Sequence, residues 1–220
     1  MAKAGKTSRP RKPRGFGHER IDEILEAAKA LHAEGGYAGI TTRKIAERVG
    51  VSQTALYTYF PDKDAILIAV CDRAFRRLDG LLVAAEAAAS REAVFPALLR
   101  TYLDFAFSVP VEYEIIFMPP RSDPTGSPTV RPGLFAFHRF RDQVAALMSE
   151  GHLRPGDPDT VAQAVWASLH GLATLLIVQT RFPWAGRADL IDTLIDGLVR
   201  GYGVGGPGGT RTRTPEGSRF

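Results

Sequence analysis

Apolar residues recur every three or four positions from Glu19 onward, the spacing that places side chains on one face of an α-helix. The runs are separated by residues typical of helix ends, with Ser or Thr before a first turn and Gly or Pro after a last one. These boundaries are Gly35 and Gly36 after the first run, Thr41 or Thr42 and then Gly50 around the second, and Ser52 and Pro61 around the third. The pattern therefore predicts three short helices within residues 19–63.

The same spacing continues through the rest of the chain. Asp62 is a candidate N-cap for a fourth helix, and Asp157 followed by Pro158 is a strong start signal because proline suits the first helical position. The further helices are predicted at about 62–89, 91–108, 111–118, 134–150, 158–180 and 187–201. No segment alternates apolar and polar residues as a half-buried strand does. We predict an all-α protein of about nine helices.

Segments without apolar periodicity mark the ends of the folded part. Residues 1–18 are basic and contain two prolines, and residues 203–220 are rich in glycine, so neither can bury enough apolar surface to fold alone. A proline-rich stretch at 119–133 predicts a loop. The predicted organisation is a disordered basic arm (1–18), a three-helix module (19–63), a larger helical domain (64–202) and a disordered tail (203–220).

Positive charge is concentrated near the N-terminus. Residues 1–63 hold 12 Lys or Arg against 7 Asp or Glu, a net charge of +5, whereas the whole chain carries +4. The arm contributes Lys3, Lys6, Arg9, Arg11, Lys12 and Arg14. Two interpretations of this arm stay open: a solubilising tail, or a segment that follows DNA phosphates or a narrow minor groove.

The second and third helices satisfy the requirements of a helix-turn-helix. That motif needs a small residue where its helices cross, a glycine in the tight turn and inward apolar residues that fix the crossing. Ala46, Gly50 and Leu56 meet these needs. In such a motif the later of the two helices, here the third helix of the chain, presents outward side chains to the major groove. Neighbouring residues hold phosphates. The candidate DNA contacts are Thr42, Arg43, Ser52, Gln53, Thr54, Tyr57, Tyr59 and Lys63.

These candidates divide into two predicted roles. Hydroxyl and ammonium groups suit the phosphate backbone, where they fix the register of docking. An amide or a threonine at the start of the recognition helix suits the edges of bases. Thr42, Tyr57, Tyr59 and Lys63 are therefore predicted positioning contacts, Gln53 and Thr54 are predicted base readers, and Arg43 stays open between the two roles.

The run from Thr41 to Ala69 resembles the signature of TetR-type regulators. It is T-T-R-K-I-A-E-R-V-G-V-S-Q-T-A-L-Y-T-Y-F-P-D-K-D-A-I-L-I-A, in which G-V-S-x-x-x-L-Y-x-Y-F-x-x-K is the specific part. W-A-S-L-H-G-L at residues 166–172 is similar to one branch of that family, marked by W-x-x-x-H-G. The resemblance implies a dimer whose N-terminal modules enter adjacent major grooves. It also implies that the helices of residues 64–202 bind an effector and supply a four-helix dimer interface.

Aromatic and histidine residues of the C-terminal part have the usual make-up of a small-molecule pocket, an apolar lining with a few polar atoms. The candidates for the effector pocket are Tyr102, Phe105, Phe117, Phe137, His138, Trp166 and His170. Core packing is the alternative for each of them, since cores and pockets share this composition. The helices at about 158–180 and 187–201 carry more apolar surface than one subunit of this size needs, which favours a homodimer interface there.

Other function classes find little support in the residues. Ser168 lies two residues from His170, so the two side chains point to different faces of a helix. Cys71 is the only cysteine, which excludes a disulfide framework, and no metal-ligand motif occurs. We expect no catalytic residue, no metal and no cofactor. With no run of about 18 uninterrupted apolar residues and no secretion signal, we expect a soluble cytoplasmic protein, nucleoid-associated when bound to DNA.

The sequence thus predicts a sequence-specific DNA-binding transcriptional regulator, a repressor that a small-molecule effector releases from its operator. Its expected partners are double-stranded operator DNA, an effector of unknown identity and a second copy of the chain, with no membrane. Activation in place of repression stays open. The alternative is a helical dimer that senses or sequesters a small molecule without specific DNA binding.

Overall fold

The computed structural model describes residues 17–117 and 130–204. These ranges contain the helices α1 (Gly17–Gly39), α2 (Thr42–Val49), α3 (Gln53–Tyr57), α4 (Lys63–Ala88), α5 (Arg91–Ser108), α6 (Pro110–Phe117), α7 (Val130–Ser149), α8 (Pro158–Val178) and α9 (Arg187–Tyr202). Between them the same ranges hold one isolated antiparallel bridge, Leu153 to Gly203, and no strand. The prediction of an all-α protein with about nine helices is confirmed. The arm up to residue 16, the stretch 118–129 and the tail from residue 205 lie outside the described residues.

Helix ends in the N-terminal part form where the sequence supplies capping residues. Gly35 and Gly36 leave the helical conformation inside α1, with Gly36 at φ 61°, so the first regular helix ends at the predicted glycine pair. Thr41 caps α2 by accepting a hydrogen bond of 3.2 Å from the backbone N–H of Lys44. Asp62 does the same for α4 through the N–H of Ala65, at 2.7 Å. Local chemistry alone therefore fixes these boundaries.

Packing divides the chain into two compact units. Among the residues that the structure describes, unit 1 holds 17–80, 108–117 and 130–136, and unit 2 holds 81–107 and 137–204. The helix α4 runs from one unit into the other. Unit 1 is not one continuous stretch of the chain, because α6 packs against α1. There Lys29 Nζ pairs with Glu112 Oε1 at 2.9 Å. The functional boundary at residue 63 stays a prediction.

The core of unit 1 is mainly aliphatic. Its fully buried side chains include Ile24, Ile40, Ile45, Leu56, Ile66, Leu67 and Tyr113. Burying an aliphatic side chain of this size contributes about 1.5–3 kcal/mol. Because Ile45 of α2 and Leu56 of α3 are both 0% exposed, the crossing of these two helices is set by the core.

Unit 2 is built from the end of α4, α5, the later part of α7, α8 and α9. Its buried residues include Val94, Leu99, Leu103, Val144, Leu147, Val165, Leu169 and Ile195. Asp157 caps α8 by accepting from the N–H of Thr160 at 2.9 Å, with Pro158 in the first turn as predicted. The loop before α8 is tied to the end of α9, since the N–H of Arg154 donates to the carbonyl of Tyr202 at 2.8 Å.

Candidate nucleic-acid interface and effector region

The turn between α2 and α3 depends on one left-handed glycine. Gly50 has φ 76° and ψ 35°, and its N–H donates to the carbonyls at the end of α2. The next N–H, of Val51, donates to the carbonyl of Ala46 at 2.9 Å. Ala46 is 3% exposed at this crossing, where a larger side chain would force the helices apart. The turn has the geometry that the helix-turn-helix prediction requires.

The serine before α3 serves the helix itself. Ser52 Oγ accepts a hydrogen bond of 3.1 Å from the N–H of Ala55, so the predicted cap is confirmed. Any contact of Ser52 with DNA must therefore leave this hydrogen bond in place. The helix that follows is short, Gln53–Tyr57, and ends in a turn at Thr58.

Three candidate contacts form one polar cluster across the α2–α3 crossing. Gln53 Nε2 donates to Thr42 Oγ1 at 3.3 Å, and Thr42 Oγ1 shares a hydrogen bond of 3.4 Å with the hydroxyl of Tyr57. Gln53 and Thr54 are exposed, and Tyr57 is 48% exposed. Tyr59 follows on the same connection, 40% exposed. The structure thus gathers Thr42, Gln53 and Tyr57 at one place on the surface.

The cations of this module are held in different ways. Arg43 is exposed at the start of α2. Lys63 Nζ lies 4.1 Å above the ring centroid of Tyr37, a cation–π contact that sequence reasoning missed because Tyr37 follows the glycine pair and belongs to no helical stripe. Arg48 is committed to Glu34 through two hydrogen bonds of 2.8 and 2.7 Å, which hold the pKa of that carboxyl below its ordinary value.

Four of the predicted effector residues form a ring cluster in unit 2. Trp166 and His170 stack with centroids 5.3 Å apart, and Phe137 lies 6.1 Å from Trp166 and 6.3 Å from His138. Burial lowers the pKa of His170, so its imidazole is neutral at pH 7. Its Nε2 lies 3.3 Å from Thr174 Oγ1. This cluster, called the ring cluster below, offers stacking surfaces and the neutral imidazole of His170.

The other effector candidates lie elsewhere. Tyr102 and Phe105 are buried residues of α5 in unit 2. Phe117 belongs to unit 1, where its ring packs against those of Phe75 and Tyr113. The ring centroids lie 6.1 Å and 4.7 Å away, respectively. Sequence spacing does not separate these groups because it does not show which helix faces meet.

Two reactive side chains considered in the sequence are engaged or buried. Ser168 Oγ donates to the carbonyl of Ala164 at 2.9 Å. Cys71 is 0% exposed, and burial raises the pKa of its thiol to about 12. A thiol protonated at pH 7 is a poor nucleophile.

The helix α8 exposes an apolar face. Its most apolar 18-residue window has a mean hydropathy of 1.7, long and apolar enough to cross a membrane, yet only 22% of that window is buried within the chain. No uninterrupted apolar run marks this segment in the sequence, because polar residues such as Gln163 and His170 interrupt it. Leu175 and Val178 are 46% and 49% exposed. An exposed apolar surface of this kind is typical of an interface.

Two sequence profiles of one family match the chain. The profile described as "Bacterial regulatory proteins, tetR family" matches residues 24–70, which include α2 and α3. The profile described as "Tetracyclin repressor-like, C-terminal domain" matches residues 95–201, from α5 into α9. Both the N-terminal module and the larger helical part therefore have counterparts in that family.

Named relatives match the chain over part of its length. The HTH-type transcriptional repressor KstR of Rhodococcus jostii is 43% identical over 61 residues, which are 28% of this chain and 29% of that protein. The nucleoid occlusion factor SlmA of Glaesserella parasuis is 35% identical over 89 residues, 40% of this chain and 44% of that protein. The chain spans less than half the length of each of these relatives.

Solved structures share the fold over most of the chain. A protein of unknown function from Rhodococcus sp. RHA1 superposes with a TM-score of 0.71 at 24% identity, covering 84% of this chain and 95% of that one. SmeT in its complex with triclosan superposes with a TM-score of 0.67 at 18% identity, covering 91% of this chain and 100% of that one. At these identities the likeness concerns the fold. Since both profiles match and solved structures share the fold over most of the chain, the chain belongs to the TetR family of bacterial regulatory proteins.

Proposed function

We propose that this chain is a sequence-specific DNA-binding transcriptional regulator, a repressor that a small-molecule effector releases from its operator. The observation that carries the proposal is the surface of α2 and α3. There Gln53, Thr54 and Tyr57 are exposed on a helix whose position is set by the Gly50 turn and the buried Leu56. Family membership supports the same function and a role without catalysis.

In the proposed complex α3 enters the major groove. Gln53 and Thr54 lie in the first turn of α3, where side chains reach base edges, and an amide paired with adenine is a common base contact. Thr42, Tyr57, Tyr59 and Lys63 lie around that helix and hold phosphates. Arg43 is exposed next to Thr42 and reaches either partner.

The proposed assembly is a homodimer through α8 and α9. Two recognition helices that read one operator need a two-fold axis, and a two-fold interface uses the same patch on both copies. The exposed apolar face of α8 supplies such a patch, and α9 packs beside it in unit 2. A membrane would cover the same face, but family membership favours the second copy and a cytoplasmic protein.

The ring cluster is the proposed effector site. Its stacked rings and the neutral imidazole of His170 suit an apolar or aromatic molecule with one hydrogen-bonding group. Because α4 belongs to both units, an effector that shifts α4 changes the spacing of the two recognition helices and weakens operator binding.

A band-shift experiment against genomic fragments tests the proposal. The proposed regulator retards a small subset of fragments at physiological salt, and competitor DNA of unrelated sequence does not displace it. If no fragment is preferred while apolar compounds still raise the unfolding temperature, the chain is a small-molecule sensor or sequestering protein without specific DNA binding.

A further inference from the structure

A cleft distinct from the ring cluster lies between α1, α4 and α6, and all of its lining residues belong to unit 1. Its volume is about 210 Å³. At about 30 Å³ per molecule of liquid water, this equals roughly seven waters. The cleft is smaller than a typical ligand pocket of about 300–1,000 Å³, so its size suits only a small organic molecule.

The floor of the cleft is apolar. Leu25 of α1, Val70 and Ala74 of α4, and Val109 beside α6 line it, and each of these side chains is buried. Water held against such a floor has few polar partners, and an apolar group that replaces it gains free energy. The floor thus favours the hydrocarbon part of a ligand.

The rim of the cleft is charged, with cations in excess. Lys29, Arg73 and Arg77 line it together with two carboxylates, Glu26 and Glu112. Lys29 Nζ pairs with both carboxylates, at 2.7 Å to Glu26 and 2.9 Å to Glu112. Burial alone lowers the pKa of Lys29, but the bonds to the two carboxylates outweigh it and hold that pKa above its ordinary value. Lys29 is therefore engaged by the two carboxylates, and the three groups together carry a net charge of −1.

The two arginines of the rim differ in what they contact. Arg73 forms an ion pair with Asp22 of α1. Within residues 17–117 and 130–204, no carboxylate is paired with Arg77, which is exposed on α4 at the mouth of the cleft. A guanidinium at the edge of an apolar floor matches a carboxylate or a similar oxyanion on a short apolar body.

We propose that this cleft binds a small amphiphilic anion, whose acidic group pairs with Arg77 and whose apolar body covers the floor formed by Leu25, Val70 and Val109. The ligand would touch α1, α4 and α6 at once and stabilise their packing. This proposal does not depend on DNA binding, and its test requires none.

The test uses the full-length chain and hexanoate as the probe, with hexanol and hexylamine as uncharged and cationic analogues. Hexanoate is expected to raise the unfolding temperature in a saturable manner and to show binding by calorimetry, while hexylamine does neither. Arg77→Gln should weaken hexanoate binding a few-fold, since the ion pair that is lost lies at an exposed side chain, where such pairs are weak. Arg76→Gln is the matched control, because Arg76 neighbours Arg77 on α4, pairs with Asp72 and does not line the cleft.

A second variant tests the location independently of charge. Ala74→Leu places a larger side chain in the cleft and should abolish hexanoate binding, with the unfolding temperature of the ligand-free variant measured as its own reference. The proposal is overturned if hexanoate fails to bind, if hexanol binds as well as hexanoate, or if Arg77→Gln and Ala74→Leu both bind it as the wild type does. In that last case the anion occupies another site, such as the ring cluster.

Discussion

At the scale of single residues, Thr42 lies between two side chains of the recognition helix. Its hydroxyl contacts Gln53 at 3.3 Å and Tyr57 at 3.4 Å, although these residues are 11 and 15 positions away in the chain. A side chain already held in one orientation loses less rotamer freedom when it binds a partner. Thr42 therefore orients the candidate base reader, and we predict that its hydroxyl also contacts a phosphate.

Replacement of Gln53 by Ala tests the division between reading and positioning. We expect the substitution to change the preference between operator variants by about 1–3 kcal/mol at the base pair that the amide contacts. Lys63→Ala should instead weaken all sequences alike and lower the salt slope of log K by about one. Both are measured by fluorescence anisotropy over a salt series. Uniform weakening by Gln53→Ala would assign the amide to the backbone.

Replacement of Gly50 by Ala tests the turn. The left-handed conformation at φ 76° costs an alanine about 1–2 kcal/mol, so the free energy of unfolding in urea should fall by that amount. Gly80→Ala is the control, because Gly80 lies inside α4, where an added Cβ would meet nothing beyond its own helix within 4 Å and alanine is favoured by up to about 1 kcal/mol. Equal effects of the two substitutions would contradict the account of the turn.

Residues that act locally were predictable, and those that act across the chain were not. The roles of Gly50 and of the caps Ser52 and Asp157 follow from the conformations and hydrogen bonds that their own neighbours require. The contact of Lys63 with Tyr37 depends on how α1 meets α4, which no local spacing encodes.

At the scale of helices, the start of α8 depends on the ionisation of Asp157. Hydrogen bonds from the side chain and the N–H of Thr160 lower the pKa of this carboxyl below its ordinary value. The stability that this cap contributes is therefore present above about pH 4, the aspartate pKa of an unfolded chain, and is lost as the pH falls through the lower pKa of the folded state. Asp157→Ala should lower the urea midpoint at pH 7.

The pH series supplies the discriminating result for this cap. We expect the difference in urea midpoint between wild type and Asp157→Ala to be constant from pH 7 to about pH 5 and to shrink below about pH 4. A difference that stays the same down to acid pH would show that the ionised carboxylate does not cap the helix.

Helix boundaries show what periodicity captures and what it misses. The predicted and observed ends of α4, α5 and α9 agree within about two residues, with Asp62 as the cap before α4 and Gly203 directly after α9. The helix α7 begins at Val130, whereas the sequence predicted a start at about 134. Pro132 was assigned to a loop, but it lies in the first turn of α7, where the missing N–H of proline has no helical partner to lose.

At the scale of the whole molecule, the return of α6 to α1 was not predictable. The ion pair of Lys29 with Glu112 joins residues that are 83 positions apart in the chain. Nothing in the sequence around either residue distinguishes it from the other surface charges. The class of fold was predictable, since helical periodicity recurs along the chain and no segment alternates apolar and polar residues as a strand does. Tertiary pairing, and with it the grouping of the effector candidates, required the structure.

The assembly state is tested by a charge on the exposed face of α8. Val178→Arg should convert a dimer into a monomer, because an arginine in a two-fold apolar interface meets its own copy without a carboxylate partner. The control is Val83→Arg, a valine of similar exposure on α4, 41% against 49%. Light scattering after gel filtration gives the mass of each variant. A wild-type monomer, or a Val178→Arg dimer, would contradict the proposed interface.

The central claim is tested most directly by the ratio of two affinities at one salt concentration. The full-length chain is titrated at about 150 mM salt, near physiological ionic strength, against a fragment selected from genomic DNA and against a shuffled fragment of the same composition. The account predicts that the selected fragment binds at least about a thousandfold more tightly and takes up two chains, because base contacts add to the phosphate contacts that both fragments share. A ratio near one would contradict sequence-specific regulation.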